Sequence, residues 1–183
     1  MNIFTLSEFL EYIADGKRVK YIFFWSQKEK ADTVTKACFS QWYHSPFTYE
    51  GILFQTAEHF MMAEKAKLFN DEKVYSEIVQ STEPGKAKHL GRTIENFDEE
   101  IWEQHRFDIV KKANILKFNQ NPELKKFLLT TSNRVLVEAS PRDKIWGIGL
   151  DENDINVENP YHWKGLNLLG FALMAARAEL LQA

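Results

Sequence analysis

A chain of 183 residues with 44% hydrophobic and 14% aromatic content is large and apolar enough to bury a full core, which excludes a disordered or low-complexity protein. Its formal net charge of −3 gives no global attraction to a phosphate backbone or an anionic membrane, so any contact with nucleic acid must come from a local basic patch. A single cysteine, Cys38, excludes a disulfide framework and a cysteine metal cluster.

The first 25 residues mix acidic and basic side chains among short apolar groups, unlike a signal peptide, and no apolar run approaches a bilayer span. The expectation is a cytoplasmic protein without membrane contact. Residues 5 to 15 predict a short amphipathic helix with Leu6, Phe9, Leu10 and Ile13 on one face, opened by a Thr5–Glu8 capping box. Val19 to Trp25 is β-branched and aromatic and predicts a buried strand. Residues 26 to 47 lack periodicity and read as a loop able to line a site, followed by a hairpin over 47–54 turning at Glu50-Gly51.

Gln55 to Phe69 reads as one helix, with Met61, Met62, Leu68 and Phe69 on an arc of about 120°. Glu58 and Lys65 fall in the middle of that arc. A carboxylate and an ammonium in an apolar stripe are costly unless paired, solvated by a cleft, or used. The plain reading is that both snorkel past their neighbours. The functional reading makes Glu58 a proton-handling group and Lys65 an anion ligand or an amine nucleophile.

Short helices follow over Glu72–Val79 and Glu83–Leu90, the latter stopping at Gly91. Asp98 caps a helix of about 20 residues whose apolar stripe is Ile101, Trp102, His105, Ile109, Ala113 and Leu116. A helix from Pro122, a strand over Arg134–Glu138 and a C-terminal apolar helix over Leu166–Leu181 complete the chain. Helices interspersed with short strands predict a helix-rich α+β single domain.

Three further stretches are candidates for binding. In Asp143-Lys-Ile-Trp-Gly-Ile-Gly149, glycines permit close backbone approach and Trp146 offers a stacking face; a tight turn around a core tryptophan explains the same pattern. Gly165-Leu-Asn-Leu-Leu-Gly170 puts glycine and asparagine at a helix start, where open N–H groups favour phosphate; close helix packing is the plainer explanation. Lys86, Lys88, His89 and Arg92 make a basic cluster, either a solvated face or a phosphate clamp. Walker, dinucleotide-binding, GxSxG and HExxH motifs are absent, and five scattered histidines give no case for a metal or a cofactor.

Taken together, Phe24-Trp25-Ser26, Phe39-Ser40, Thr56-Ala-Glu-His-Phe60 through Ala63-Glu-Lys65, and Ala87-Lys-His-Leu-Gly-Arg92 resemble segments of the NADAR family. So do Trp102, Lys117-Phe118, Leu136-Val-Glu138, Asp143 with Trp146-Gly147, and Gly165 to Gly170. The resemblance covers about residues 21 to 181, leaving 1–20 as an N-terminal extension. The family includes N-glycosidases of riboflavin intermediates and antitoxins that remove ADP-ribose from guanine in DNA. The resemblance therefore implies hydrolysis between a ribose C1″ and an exocyclic amine of a guanine-like ring.

Carried over by position, the resemblance makes Glu58 the acid/base and has Asp143 and Trp102 complete the catalytic set. Lys65 joins them as an amine able to capture a ring-opened sugar as a Schiff base. Arg92, Gly165 and Asn167 would hold phosphates and Trp146 would stack on a ring, with Phe24, Ser26, Ser40 and Gly147 lining the ligand. The expected partners are ADP-ribosylated guanine in a nucleotide or DNA and a cognate ADP-ribosyltransferase toxin. The rivals are cleavage of phosphoribosylamino-pyrimidines and a module that binds ADP-ribose or NAD without turnover.

Overall fold

Thr5 and Glu8 exchange the two bonds of a capping box and open the first helix, as the sequence predicts. The structure, a computed structural model, describes residues 3–26 and 33–182. Its elements in chain order are α1 (Leu6–Ala14), β1 (Tyr21–Phe24), a 3-10 turn (Lys36–Phe39), β2 (Phe47–Tyr49) and β3 (Ile52–Phe54). Then come α2 (Ala57–Leu68), α3 (Glu72–Gln80), α4 (Pro84–Leu90), α5 (Glu99–Gln120) and α6 (Pro122–Thr130). β4 (Val135–Glu138), a 3-10 turn (Pro160–His162) and α7 (Leu168–Leu180) follow. The α+β class is as expected. The loop expected over 26–47 contains the Lys36–Phe39 turn, and its residues 27–32 lie outside the described residues.

The chain forms two compact units, residues 1–40 with 123–183, and residues 41–122 inserted between them in sequence. In the first, β1 and β4 pair in parallel from Tyr21 opposite Val135 to Phe24 opposite Glu138. Val135, Leu136 and Val137 are buried on both faces, as a continuous apolar run requires. Helix α7 packs on β4, and a Cβ on Gly170 would collide with the Leu136 carbonyl. Phe9 of α1 stacks on Trp163 at 5.8 Å and meets Phe171 of α7 edge-on at 6.1 Å.

In the second unit, Glu50 and Gly51 take φ of 50° and 80°, the pair of positive values that a two-residue hairpin turn needs. The hairpin stacks Phe47 on Phe54 at 6.0 Å, and Phe54 meets Phe60 of α2 at 5.1 Å. Helix α2 is the centre of this unit, with α3, α4 and α5 packed around it. Every residue from Ala57 to Ala63 is buried, so the single apolar arc predicted for this helix is corrected to burial on all sides.

The stripe predicted for α5 is corrected too. Ile101 is 41% exposed and His105 lies at the surface. The buried positions are Trp102, Arg106, Val110, Ala113, Asn114, Lys117 and Phe118. Three of the seven are polar, which is why an apolar count settled on the neighbouring stripe.

Candidate functional site

Helix α2 carries functional candidates at both ends. Its N-cap is Thr56, whose side chain accepts from the His59 N–H, and Glu58 lies in the first turn, where the helix dipole favours a carboxylate. The Glu58 side chain is buried, and its backbone N–H donates to the Gln41 carbonyl at 3.0 Å. His59 beside it is buried with Nδ1 2.8 Å from the Thr56 hydroxyl, and burial pushes its pKa below the ordinary 6.5.

Gln41 links Glu58 to α5. Its side-chain Oε1 accepts from Asn114 Nδ2 at 3.1 Å, and the same Nδ2 donates to the Val110 carbonyl at 2.9 Å. Lys117, less than a turn further on, is fully buried with Nζ 5.6 Å from the centre of the Tyr43 ring. Gln41, Asn114 and Lys117 were not candidates from sequence. The signal was present: polar residues at 106, 114 and 117 share a helix face with Trp102 and Val110, and that face is the buried one.

Lys65, about 10 Å further along the helix axis, is half-buried and points its ammonium into a different group. Nζ donates to the Gly91 carbonyl at 2.9 Å and stands 4.0 Å from the Phe97 ring centre and 5.5 Å from that of Trp102. Burial lowers its pKa from the usual 10.5; Glu99 opposes the shift and Arg92 adds to it. Of the predicted residues, this unit therefore brings Lys65, Trp102 and Arg92 together. Gly91 makes the arrangement possible, because a Cβ there would collide with the Met62 sulfur on α2.

In the first unit the predicted residues of both glycine-containing stretches form one knot. Asp143 Oδ1 accepts from the Ile145 and Trp146 N–H groups at 2.9 and 2.8 Å, closing the turn that presents half-buried Trp146. Gly165 lies so close to this turn that a Cβ would overlap the Gly147 carbonyl and lie 2.7 Å from the Lys144 Cα. Asn167 adopts φ of 54° and is fully buried. Its Oδ1 accepts from the Glu138 N–H at 3.0 Å and its Nδ2 donates to the Leu136 carbonyl at 3.0 Å.

This knot changes the reading of the α7 start. The N–H groups of Asn167, Leu168 and Leu169 donate to the carbonyls of Gly147, Ile145 and Trp146 at 3.1, 3.2 and 3.2 Å. They are committed to the loop, so here the glycines and Asn167 serve close packing. Phe24 is in the core, edge-on to Phe39 at 5.5 Å, and buried Ser40 ends the 3-10 turn, its N–H donating to the Ala37 carbonyl. Ser26 is at the surface. Among the described residues no group of three or more His, Cys, Asp or Glu is placed to hold a metal, and no helix is long and apolar enough to cross a membrane.

The model of a family described as the NADAR domain matches residues 23–181. An N-glycosidase of Acanthamoeba polyphaga mimivirus is 44% identical over 169 residues, 87% of this chain and 96% of the relative. The N-glycosidase YbiA of Escherichia coli is 34% identical over 142 residues, 78% of each chain. The NMR structure of that E. coli protein matches with a TM-score of 0.72 at 31% identity, over 91% of this chain and 88% of that one. The chloroplastic riboflavin biosynthesis protein PYRR of Zea mays is 34% identical over 133 residues, 69% of this chain and 20% of that protein.

Proposed function

This chain belongs to the NADAR family, and from that premise we propose that it is an N-glycosidase removing ADP-ribose from the exocyclic amine of guanine in DNA. Glycosidase chemistry follows the named relatives, two of which are N-glycosidases similar over most of their length. The observation that carries the mechanism is Lys65, a half-buried amine of lowered pKa standing between Phe97 and Trp102. Burial disfavours the charged form of that amine, which favours its use as a nucleophile.

The steps balance as one hydrolysis. The N-ribosyl substrate opens as its ring oxygen leaves C1″ with a proton and an imine forms to the guanine nitrogen. The neutral Lys65 amine adds to C1″; the C1″–guanine bond then breaks, the guanine amine leaving with a proton from Glu58. Water adds to the resulting Lys65 imine, Glu58 accepting its proton, and the sugar aldehyde departs as the lysine is restored. On this reading Arg92 supplies positive charge for a diphosphate. The biological partner would be a DNA ADP-ribosyltransferase whose product this enzyme reverses in the cytoplasm.

A second reading has one specific support, the similarity to a riboflavin biosynthesis protein. It assigns the same bond cleavage to a phosphoribosylamino-pyrimidine. Incubating the protein with an ADP-ribosyl-guanine oligonucleotide and with that pyrimidine side by side separates the two. Faster release of ADP-ribose is expected; hydrolysis of the pyrimidine alone overturns the DNA reading, and no hydrolysis of either overturns enzyme function.

A further inference from the structure

At the Glu58 end of α2, Nε2 of His59, Nε2 of Gln41 and Oδ1 of Asn114 are buried without a hydrogen-bond partner, the last two in residues 7% and 0% exposed. An unsatisfied buried polar atom is costly, and two in side chains bonded to one another call for an explanation. Their polarity is fixed by the backbone. The Val110 carbonyl only accepts, so the Asn114 atom 2.9 Å from it is Nδ2. That Nδ2 also donates to Gln41 at 3.1 Å, so the Gln41 atom there is Oε1. One donor and one acceptor remain.

We propose that Gln41 and Asn114 form a subsite for the ring that carries the leaving amine and read its lactam edge. The ring N–H donates to Asn114 Oδ1 and the ring carbonyl accepts from Gln41 Nε2. Guanine and the aminopyrimidinone of the second reading share this edge, so the inference rests on the N-glycosidase reading and on neither substrate in particular. The link to the chemistry is one hydrogen bond: the Glu58 N–H donates to the Gln41 carbonyl at 3.0 Å, tying the reader of the ring to the turn that carries the acid/base. Both side chains are anchored by their other ends, so the recognising atoms are preorganised.

The test compares the parent with Gln41→Met and Asn114→Leu, which keep volume and remove the polar atoms. Substrates are the ADP-ribosyl-guanine oligonucleotide and its O6-methyl counterpart, which lacks the ring N–H and the carbonyl. The parent should prefer the unmethylated ring, and each variant should lose about 10- to 100-fold in kcat/KM on it while the preference collapses. Thermal unfolding should show both variants folded, with Asn114→Leu the less stable because it leaves buried Gln41 Oε1 without its donor. Parent-like kcat/KM with intact preference overturns the subsite, assigns the two atoms to a bridging water, and leaves the proposed function standing. Should the parent turn over neither substrate, binding of guanosine against O6-methylguanosine decides: preference lost in Asn114→Leu supports the subsite, and equal binding or none overturns it. Gln41→Met supplies the same readouts if Asn114→Leu fails to fold.

Discussion

Lys65 donates to the carbonyl of Gly91 at 2.9 Å, and Gly91 is also the residue whose missing side chain makes room for Met62 of the same helix as Lys65. The end of α4 thus sits against α2 and offers a carbonyl to an amine flanked by two aromatic rings. Burial disfavours the charged form, so the neutral amine is populated at a lower pH than for an exposed lysine. The rate should rise with pH through this lowered pKa. Glu99 favours the charged form, so Glu99→Gln should move the rising limb to lower pH. Borohydride added during turnover should trap sugar on Lys65, and Lys65→Arg should abolish the adduct and at least about 10³-fold of kcat. Activity without any adduct would assign the reaction to direct displacement by water activated at Glu58.

Glu58 tests catalysis against mere binding. Glu58→Gln keeps shape and should lower kcat by about 10²- to 10⁴-fold, the usual worth of a positioned acid/base. Ligand affinity, measured by calorimetry, should stay within a few-fold of the parent. A variant with parental turnover would remove Glu58 from the mechanism.

Gly165 is surrounded by backbone: the Gly147 carbonyl and the Cα and carbonyl of Lys144 occupy the space a methyl would need. None of these atoms can rotate aside. Gly165→Ala should therefore cost about 1–3 kcal/mol, the range of overpacked cores, read as a lower Tm. A variant of unchanged Tm would show that this loop yields more readily than its bonds suggest.

His59 sets an acid limit on stability. Its folded pKa lies below the unfolded value of 6.5, so between those two values the unfolded chain binds more protons and stability rises with pH. Acidification through 6.5 should thus remove stability until the folded pKa is passed, while above it the contribution is complete. Tm followed from neutral pH downward should fall less steeply in His59→Gln. Parallel curves would place the acid sensitivity elsewhere.

The fold was largely legible because its boundaries are written in local chemistry. The Thr5–Glu8 box, the Asp98 cap that accepts from the Ile101 N–H, and the Glu50-Gly51 turn each act within four residues. The candidates Glu58 and Lys65 were legible as charges set in an apolar stripe, whereas Trp102, plain core by its spacing, became a candidate only through the family resemblance. Gln41 and Asn114 were not legible, since neither is unusual until α5 is rotated to bury Asn114 against Val110. Nor does composition tell a glycine that admits a ligand from one that admits Gly147, because that depends on contacts 18 residues apart in sequence.

The pairing of β1 with β4 has a consequence for how the molecule is made. Tyr21–Phe24 leaves the ribosome long before its partner, Val135–Glu138, has been synthesised, and residues 41–122 lie between. The inserted unit can complete its own contacts while the first strand still waits with unsatisfied backbone groups and an apolar face. Synthesis therefore passes through a stage in which a finished unit is tethered to an unfinished one. That interval is where aggregation or chaperone capture would act, and slowing translation after residue 122 would lengthen it.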